Sequence, residues 1–122
     1  MVQGKVIDMN PPKTGTVKPG ARAVLAPKES ITHQNVAQHK AHLEELLSQN
    51  KTEILIDLKS VPYLDSAALE FLTKTHEELK GRGGHLKLFG MNPVCRDILT
   101  ATRLVNVLHL YSDIHGAMKG GL

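Results

Sequence analysis

Two hydrophobic patterns alternate along the chain and predict its architecture. Short apolar segments rich in β-branched or long aliphatic residues predict strands at Ala21–Ala26, Glu53–Leu58, His85–Phe89 and Val105–Leu110. Apolar residues at helical spacing predict helices between and after these strands. The segment Glu53–Leu58 has three consecutive apolar residues at its centre, which is typical of a strand buried on both faces. This alternation indicates one α/β layer with mostly parallel strands.

Start and stop residues delimit the predicted helices. Ser30 and Thr32 predict the start of the first helix, and Asp65-Ser66 predicts the start of the second, which Gly81–Gly84 ends. Asn92-Pro93 starts the third, because asparagine caps and proline suits the first helical position. Ser112 is expected to cap a short last helix. The residues expected to face the core are Val36, His39, Leu43, Leu46 and Leu47, then Ala68, Leu69, Leu72, His76 and Leu79, and then Val94, Cys95, Ile98 and Leu99. The last helix is expected to run through Ile114 and Met118.

The N-terminal segment differs from the rest in composition. Residues 1–20 are rich in proline and glycine and predict a basic tail or irregular entry, so a single domain is expected over 21–122. Lys18–Ala21 suits a type II turn, which would join a short strand at Thr14–Val17 to the one that begins at Ala21. The pattern leaves open whether Val6–Met9 forms a further strand.

Charge and composition exclude several function classes. The net charge of +3 lies entirely on residues 1–30, whereas residues 31–122 are balanced, and the chain has four aromatic residues. A nucleic-acid-binding face is therefore not expected. No apolar run approaches the ~20 residues of a membrane span, and no signal peptide is evident, so we expect a cytoplasmic protein without membrane insertion. The single cysteine, Cys95, excludes an internal disulfide.

Catalytic and metal-binding motifs are not convincing in this sequence. His39 and His42 lie three residues apart with Glu45 three further on, but no third histidine follows at ligand spacing. Asp65-Ser66 lacks the Gly-x-Ser-x-Gly elbow of serine hydrolases. Cys95 lies at an apolar helix position and is expected in the core. We therefore expect no enzyme activity, no cofactor and no metal.

The segment Asp65-Ser66-Ala67-Ala68-Leu69 admits two interpretations. One is a helix cap, in which Asp65 or Ser66 accepts a hydrogen bond from a free backbone N–H. The other is a modification site, because a serine in the first turn of an exposed helix end can reach a kinase. A phosphate there would meet the positive end of the helix dipole and add ~1.5–2 negative charges beside Asp65. The residues alone leave both interpretations open.

A family resemblance bears on this choice. Ile54-Leu55-Ile56-Asp57-Leu58, then five residues, then Leu64-Asp65-Ser66-Ala67-Ala68-Leu69, resembles the signature of STAS domains, in particular bacterial anti-sigma factor antagonists. The resemblance continues through Gly83-Gly84, Leu86–Phe89, Asn92-Pro93-Val94 and Leu104–Leu110, and covers roughly 21–118. It implies a single small α/β domain: a central, mostly parallel sheet of four to five strands with about four helices mainly on one side.

The resemblance also implies a mechanism. Members of the family bind a serine-kinase anti-sigma factor, which phosphorylates the serine after the aspartate, and a PP2C-type phosphatase reverses the modification. The phosphoacceptor in this chain would be Ser66. The motif's serine-or-threonine and glycine positions hold Ala67 and Ala68, which removes an alternative acceptor and adds bulk at the helix start. The expected partner surface comprises Tyr63, Leu64, Asp65, Ser66, Glu70, Thr73, Lys74 and Glu77, bordered by the loop 28–32.

Two other functions remain open at this stage. One is a STAS scaffold subunit of a stressosome or lipid-transport complex, in which Ser66 serves only as a cap. The other is an enzyme or small-ligand binder that uses a cleft near Ser66.

Overall fold

The described residues form one layered α/β arrangement. The computed structural model describes residues 6–8 and 21–119. In chain order the elements are β1 (Val6–Asp8), β2 (Ala21–Leu25), α1 (Val36–Ser48), β3 (Lys51–Asp57), α2 (Ser66–Gly81), β4 (His85–Phe89), α3 (Pro93–Ala101), a 3₁₀ helix (Leu104–Asn106), β5 (His109–Tyr111) and α4 (Ile114–Lys119).

The sheet has five strands in the order β1-β2-β3-β4-β5. β1 pairs antiparallel with β2, and each later pair is parallel. The predicted, mostly parallel sheet is therefore confirmed. The sequence pattern left open whether Val6–Met9 contains a strand, and the structure has β1 at Val6–Asp8. The strand expected at Thr14–Val17 and the first three residues of the turn expected at Lys18–Ala21 lie outside the described residues.

The central strand is buried on both faces, as predicted. Ile54, Leu55 and Ile56 are 0%, 0% and 1% exposed. Ile54 and Ile56 belong to the larger core beneath α1, α2 and α3, whereas Leu55 packs with Phe89 and Ala117 on the other face. The fold thus places three helices on one side of the sheet and α4 on the other, which confirms the expectation of helices mainly on one side.

A buried charge cluster lies on the face that α4 covers. Lys87 is 2% exposed, and its Nζ donates to Glu53 Oε2 at 2.8 Å and to the Ala117 carbonyl at 2.9 Å. Arg22 Nε donates to the other carboxylate oxygen of Glu53 at 3.0 Å. Burial alone would raise the pKa of Glu53, but hydrogen bonds from Lys87 and Arg22 outweigh it and the pKa is lowered. The buried lysine therefore ties α4 to the sheet by a satisfied set of contacts.

The first helix begins later than predicted. α1 starts at Val36 with Asn35 as its N-terminal flank, and neither Ser30 nor Thr32 caps it. Instead Asn35 accepts from the Thr32 N–H at 2.9 Å and donates to the Ser30 carbonyl at 2.9 Å. Ile31 is buried and forms a parallel bridge with Leu64, so this segment is held in an extended and turning path before the helix.

The predicted strand at Val105–Leu110 is wrong at its start. Leu104–Asn106 forms the 3₁₀ helix, and β5 begins only at His109. Arg103 has a positive φ of 67°, which ends α3, and the Leu104 carbonyl then accepts from the N–H groups of Val107 and Leu108. Local turn bonding thus displaces the extended conformation that the apolar run suggested.

Two further local predictions are corrected. Val94 is 52% exposed rather than buried, because Cys95 and Leu99 occupy the core-facing positions of α3. Asp113, not Ser112, caps α4: its Oδ1 accepts from the Gly116 N–H at 2.8 Å. The capping role predicted for Asn92 is confirmed, with Oδ1 accepting from the Cys95 N–H at 2.8 Å.

The packing of α2 follows the prediction in most positions. The predicted inward residues Ala68, Leu72 and Leu79 are buried, whereas Leu69 and His76 are half-buried. Phe71 is also buried, a position that the predicted stripe did not include. The helix ends at Gly81, as expected, and the chain turns through Gly83 with a positive φ into β4.

We expect Gly84→Ala to destabilise the fold. Gly84 is buried, and a Cβ at this position would overlap the backbone carbonyl of Thr52. Because backbone cannot yield as a flexible side chain can, urea unfolding should show a loss of about 1–3 kcal/mol.

Gly81→Ala is the matched control. A Cβ there meets nothing within 4 Å, so its unfolding free energy should change by less than about 1 kcal/mol. Equal stabilities of the two variants would contradict the close packing of Gly84 on β3.

Candidate functional site

The candidate site begins with the loop that follows β3. Leu58 and Val61 are fully buried and Leu64 is 3% exposed, so three apolar side chains anchor the loop in the core. Between them Tyr63 is 49% exposed. The loop therefore presents Tyr63 outward at the carboxyl end of the parallel strands. Such ends are where open α/β sheets place their ligand and partner sites.

Asp65 joins two separate segments at this position. Its Oδ1 accepts from the Ala68 N–H at 3.0 Å, which caps α2. Its Oδ2 accepts from the His33 N–H at 2.9 Å and lies 3.1 Å from His33 Nδ1. Its own N–H donates to the Ile31 carbonyl at 3.3 Å. One residue thus fixes both the start of α2 and the loop that leads into α1.

These contacts control the charge of the carboxylate. The backbone N–H of His33, then that of Ala68, are the main causes that lower the pKa of Asp65 to about 2, and the His33 ring adds to them. Hydrogen bonds donated to the charged form favour ionisation. Asp65 is therefore a carboxylate throughout the physiological range of pH.

Ser66 is the first residue of α2 and is exposed. The cap of this helix is Asp65, and within the described part of the chain the Ser66 hydroxyl makes no hydrogen bond. Of the two interpretations that the sequence left open, the capping role thus belongs to Asp65. The serine hydroxyl lies free at the positive end of the helix.

The remaining predicted surface residues follow α2 away from Ser66. Residues three and four apart share a face of a helix, so Glu70, Thr73 and Glu77 extend one stripe from the serine. Glu70, Lys74 and Glu77 are exposed, and Lys74 Nζ lies 3.2 Å from Glu70 Oε2. The Thr73 hydroxyl is half-buried and donates to the Leu69 carbonyl at 2.9 Å.

Leu64 differs from the other residues of the predicted surface. Its side chain lies in the core, so it supports the surface from beneath rather than forming part of it. The loop 28–32, which was predicted to border the partner surface, contacts two residues of that predicted surface. The Tyr63 N–H donates to Ser30 Oγ at 3.3 Å, and Asp65 bonds to the Ile31 carbonyl.

Two neighbours of the site were missed from the sequence. His33, with 75% of its side chain exposed, is 32 residues from Asp65 in sequence, and no local motif links them. The second is a groove of about 540 Å³ between α1 and α2. Its walls include Leu43, Leu47 and Phe71, and Ala67 brings it next to Ser66. Helical periodicity predicts both helices but not the gap between them.

The other candidate groups from the sequence, the His39 ring and the Cys95 thiol, take part in the packing of the fold. In residues 6–8 and 21–119, no group of three His, Cys, Asp or Glu side chains has a geometry suited to a metal. The half-buried His39 has a pKa lowered by burial and then by His42, and its ring lies 6.4 Å from that of Phe71. Cys95 is fully buried, its Sγ donates to the Val61 carbonyl, and burial raises the pKa of its thiol.

A comparison with protein families identifies the class to which this fold belongs. The STAS domain model matches residues 13–117, a region that begins before residue 21. The chain therefore belongs to the STAS domain family. No match is found among curated proteins. None of the helices in residues 21–119 combines the length and the apolar composition that a membrane span requires.

Several solved structures have a similar fold. An anti-sigma factor antagonist from Mycobacterium paratuberculosis has a TM-score of 0.74 at 19% identity, over 95% of this chain and 93% of that one. A STAS domain protein from Planctomyces limnophilus has a TM-score of 0.73 at 22% identity, over 83% and 91%. The phosphorylated form of the Bacillus cell fate determinant SpoIIAA has a TM-score of 0.63 at 17% identity, over 87% and 96%. These similarities establish the shared fold.

We expect the Asp65 carboxyl to titrate with a pKa of about 2, against an ordinary value of 3.8. Because the folded-state pKa is depressed, the associated stabilisation is present above pH 3.8 and is lost as pH falls through about 2. Carboxyl carbon NMR titration measures this directly.

His33→Ala separates the ring from the backbone. The variant keeps the backbone N–H, which is the largest cause of the shift, so the pKa should rise only part of the way towards 3.8. A wild-type pKa at the ordinary value, or its complete restoration by His33→Ala, would contradict the assigned contacts.

Proposed function

We propose that this protein is an anti-sigma factor antagonist that acts by partner switching. It binds a serine-kinase anti-sigma factor when Ser66 is unmodified and releases it when Ser66 is phosphorylated. A PP2C-type phosphatase restores binding. The protein works in the cytoplasm by binding and carries out no chemistry of its own. The observation that carries this proposal is the free, exposed Ser66 hydroxyl at the start of α2, next to an aspartate that already caps the helix.

The local electrostatics suit a reversible switch. A phosphate on Ser66 lies at the positive end of the α2 dipole, so the fold itself tolerates the modification. The same phosphate stands beside Asp65, which stays ionised because its pKa is about 2. A partner packed on this surface would therefore meet two adjacent anionic groups. A coupling of ~3 kcal/mol weakens binding by about two orders of magnitude.

The relatives support the choice of partner. SpoIIAA is described as an anti-sigma factor antagonist, and its structure is known in unphosphorylated and phosphorylated forms. This chain has a similar fold, and its Asp65-Ser66 resembles the aspartate-serine pair of the family signature. The proposal transfers the role of that pair to Asp65 and Ser66.

The departures from the family signature are compatible with a kinase substrate. Ala68 is fully buried, so the methyl group that replaces a glycine hydrogen packs into the core instead of narrowing the approach to Ser66. Ala67 is half-buried and lines the groove between α1 and α2. It carries no hydroxyl, which leaves Ser66 as the acceptor in this motif.

We expect Ser66→Ala to bind the kinase constitutively and Ser66→Asp to bind about 100-fold more weakly, because the added carboxylate places a like charge in the interface. Tagged forms of both variants, expressed in the source cells, identify the retained partner by mass spectrometry. Calorimetry with that purified partner then gives the affinities.

Asn106→Asp supplies the matched control, since it adds one negative charge at an exposed position in the 3₁₀ helix, away from Ser66. Its affinity should stay within about twofold of wild type. The proposal fails if Ser66→Asp binds as tightly as wild type. Retention of one large complex by both Ser66 variants would instead indicate a scaffold subunit.

A further inference from the structure

Three histidine rings meet around a cavity near the N-terminal ends of β4 and β5. The cavity has a volume of about 420 Å³. Ser66, by contrast, follows the carboxyl end of β3, so the two sites lie towards opposite ends of the parallel strands. We call this cavity the histidine pocket; it is lined by His76, Lys80, Gly83, Gly84, His85, Val107 and His109.

The three rings come from three different elements. The centroid of the His109 ring lies 5.8 Å from that of His76 on α2 and 6.2 Å from that of His85 on β4. Nδ1 of His76 is buried and, within the described part of the chain, has no hydrogen-bond partner. A buried polar atom without a partner costs free energy, and within the described part of the chain no hydrogen bond fixes the His76 ring through Nδ1.

The charges around the histidine pocket are basic. Its lining includes the amine of Lys80 and no carboxylate. Glu53 lies beside His85 in the strand register, but its carboxylate is already bonded by Lys87 and Arg22. The local balance thus favours an anion over a cation.

The direction of the pKa shift of His109 agrees with this balance. Burial lowers the pKa of His109, and the neighbouring charges of His76, His85 and Lys87 lower it further. A proton added to His109 is therefore repelled by the positive charges around it. A bound anion would offset that repulsion.

The alternative of a metal ion is disfavoured. The described residues provide no metal-suited group of three His, Cys, Asp or Glu side chains. The positive charges of the nearby Lys80 and Lys87 ammonium groups would also repel a metal cation.

We propose that the histidine pocket binds a small phosphate dianion, either inorganic phosphate or a phosphate monoester, with imidazole N–H groups of His76 and His109 and the Lys80 ammonium as donors. Binding forms only hydrogen bonds and an ion pair with Lys80, and the anion keeps all its own bonds. The proposal is independent of the function assigned to Ser66.

Histidine ring resonances measured by NMR test this directly, with inorganic phosphate titrated into the full chain at pH 8, where the dianion predominates, and ionic strength held constant with sodium chloride. We expect saturable shifts at His76, His85 and His109. His115, exposed on α4, serves as the internal control and should not shift.

Two variants locate the binding. Lys80→Ala changes an exposed residue near the end of α2 and should keep the fold, yet weaken phosphate binding by about tenfold. His115→Asn, the matched control, should leave the affinity unchanged. A second titration with adenosine monophosphate distinguishes the sources: equal affinity indicates that the phosphate group suffices, whereas tighter binding indicates a monoester ligand.

Several outcomes would overturn the proposal. These are the absence of shifts at about 20 mM phosphate at pH 8, which puts any affinity beyond the weak-binding range, equal affinity in Lys80→Ala, and identical shifts with sodium chloride alone. Binding of zinc chloride to the three rings without any response to phosphate would indicate a metal site instead.

Discussion

The structure depends on the burial of β3 from both sides. Ile54 and Ile56 require a cover on one face of the sheet and Leu55 requires a cover on the other. The first need is met by α1, α2 and α3, and the second by α4, which Lys87 holds through the Ala117 carbonyl. The carboxyl end of β3 continues into a loop whose apolar side chains are buried in the core. The position of Ser66 is therefore a consequence of core packing rather than of surface contacts.

The carboxylate of Asp65 organises the segment around Ser66. Asp65 accepts hydrogen bonds from the first turn of α2 and from the loop before α1, and it stays ionised because of them. Since the aspartate performs the cap, the adjacent serine is not needed to stabilise the helix. A residue that the helix does not need for its stability can be modified without loss of the fold. In the proposed function, the exposed stripe along α2 is the surface on which an added charge would change partner binding.

Local signals in the sequence account for the elements that lie nearest to the site. The apolar run at Ile54–Ile56, the Asn92-Pro93 start and the glycines after α2 each act within a few residues, and the structure confirms all three. Contacts between distant residues leave no such signal. The His33–Asp65 contact and the histidine pocket both join separate elements, so periodicity does not predict them. The errors at Val94 and at residues 105–108 have other causes. Val94 is exposed because Cys95 and Leu99 already occupy the core-facing positions of α3. Residues 105–108 are not extended because turn hydrogen bonds hold them.

The central claim is that Ser66 carries the regulatory charge. Intact-mass measurement and peptide mapping of the protein from its native cells, with and without phosphatase treatment, test it most directly. The account predicts one phosphoryl increment that maps to Ser66 under some growth or stress conditions and disappears on treatment. An unmodified Ser66 under every condition, or a phosphoryl group that maps elsewhere, would contradict it.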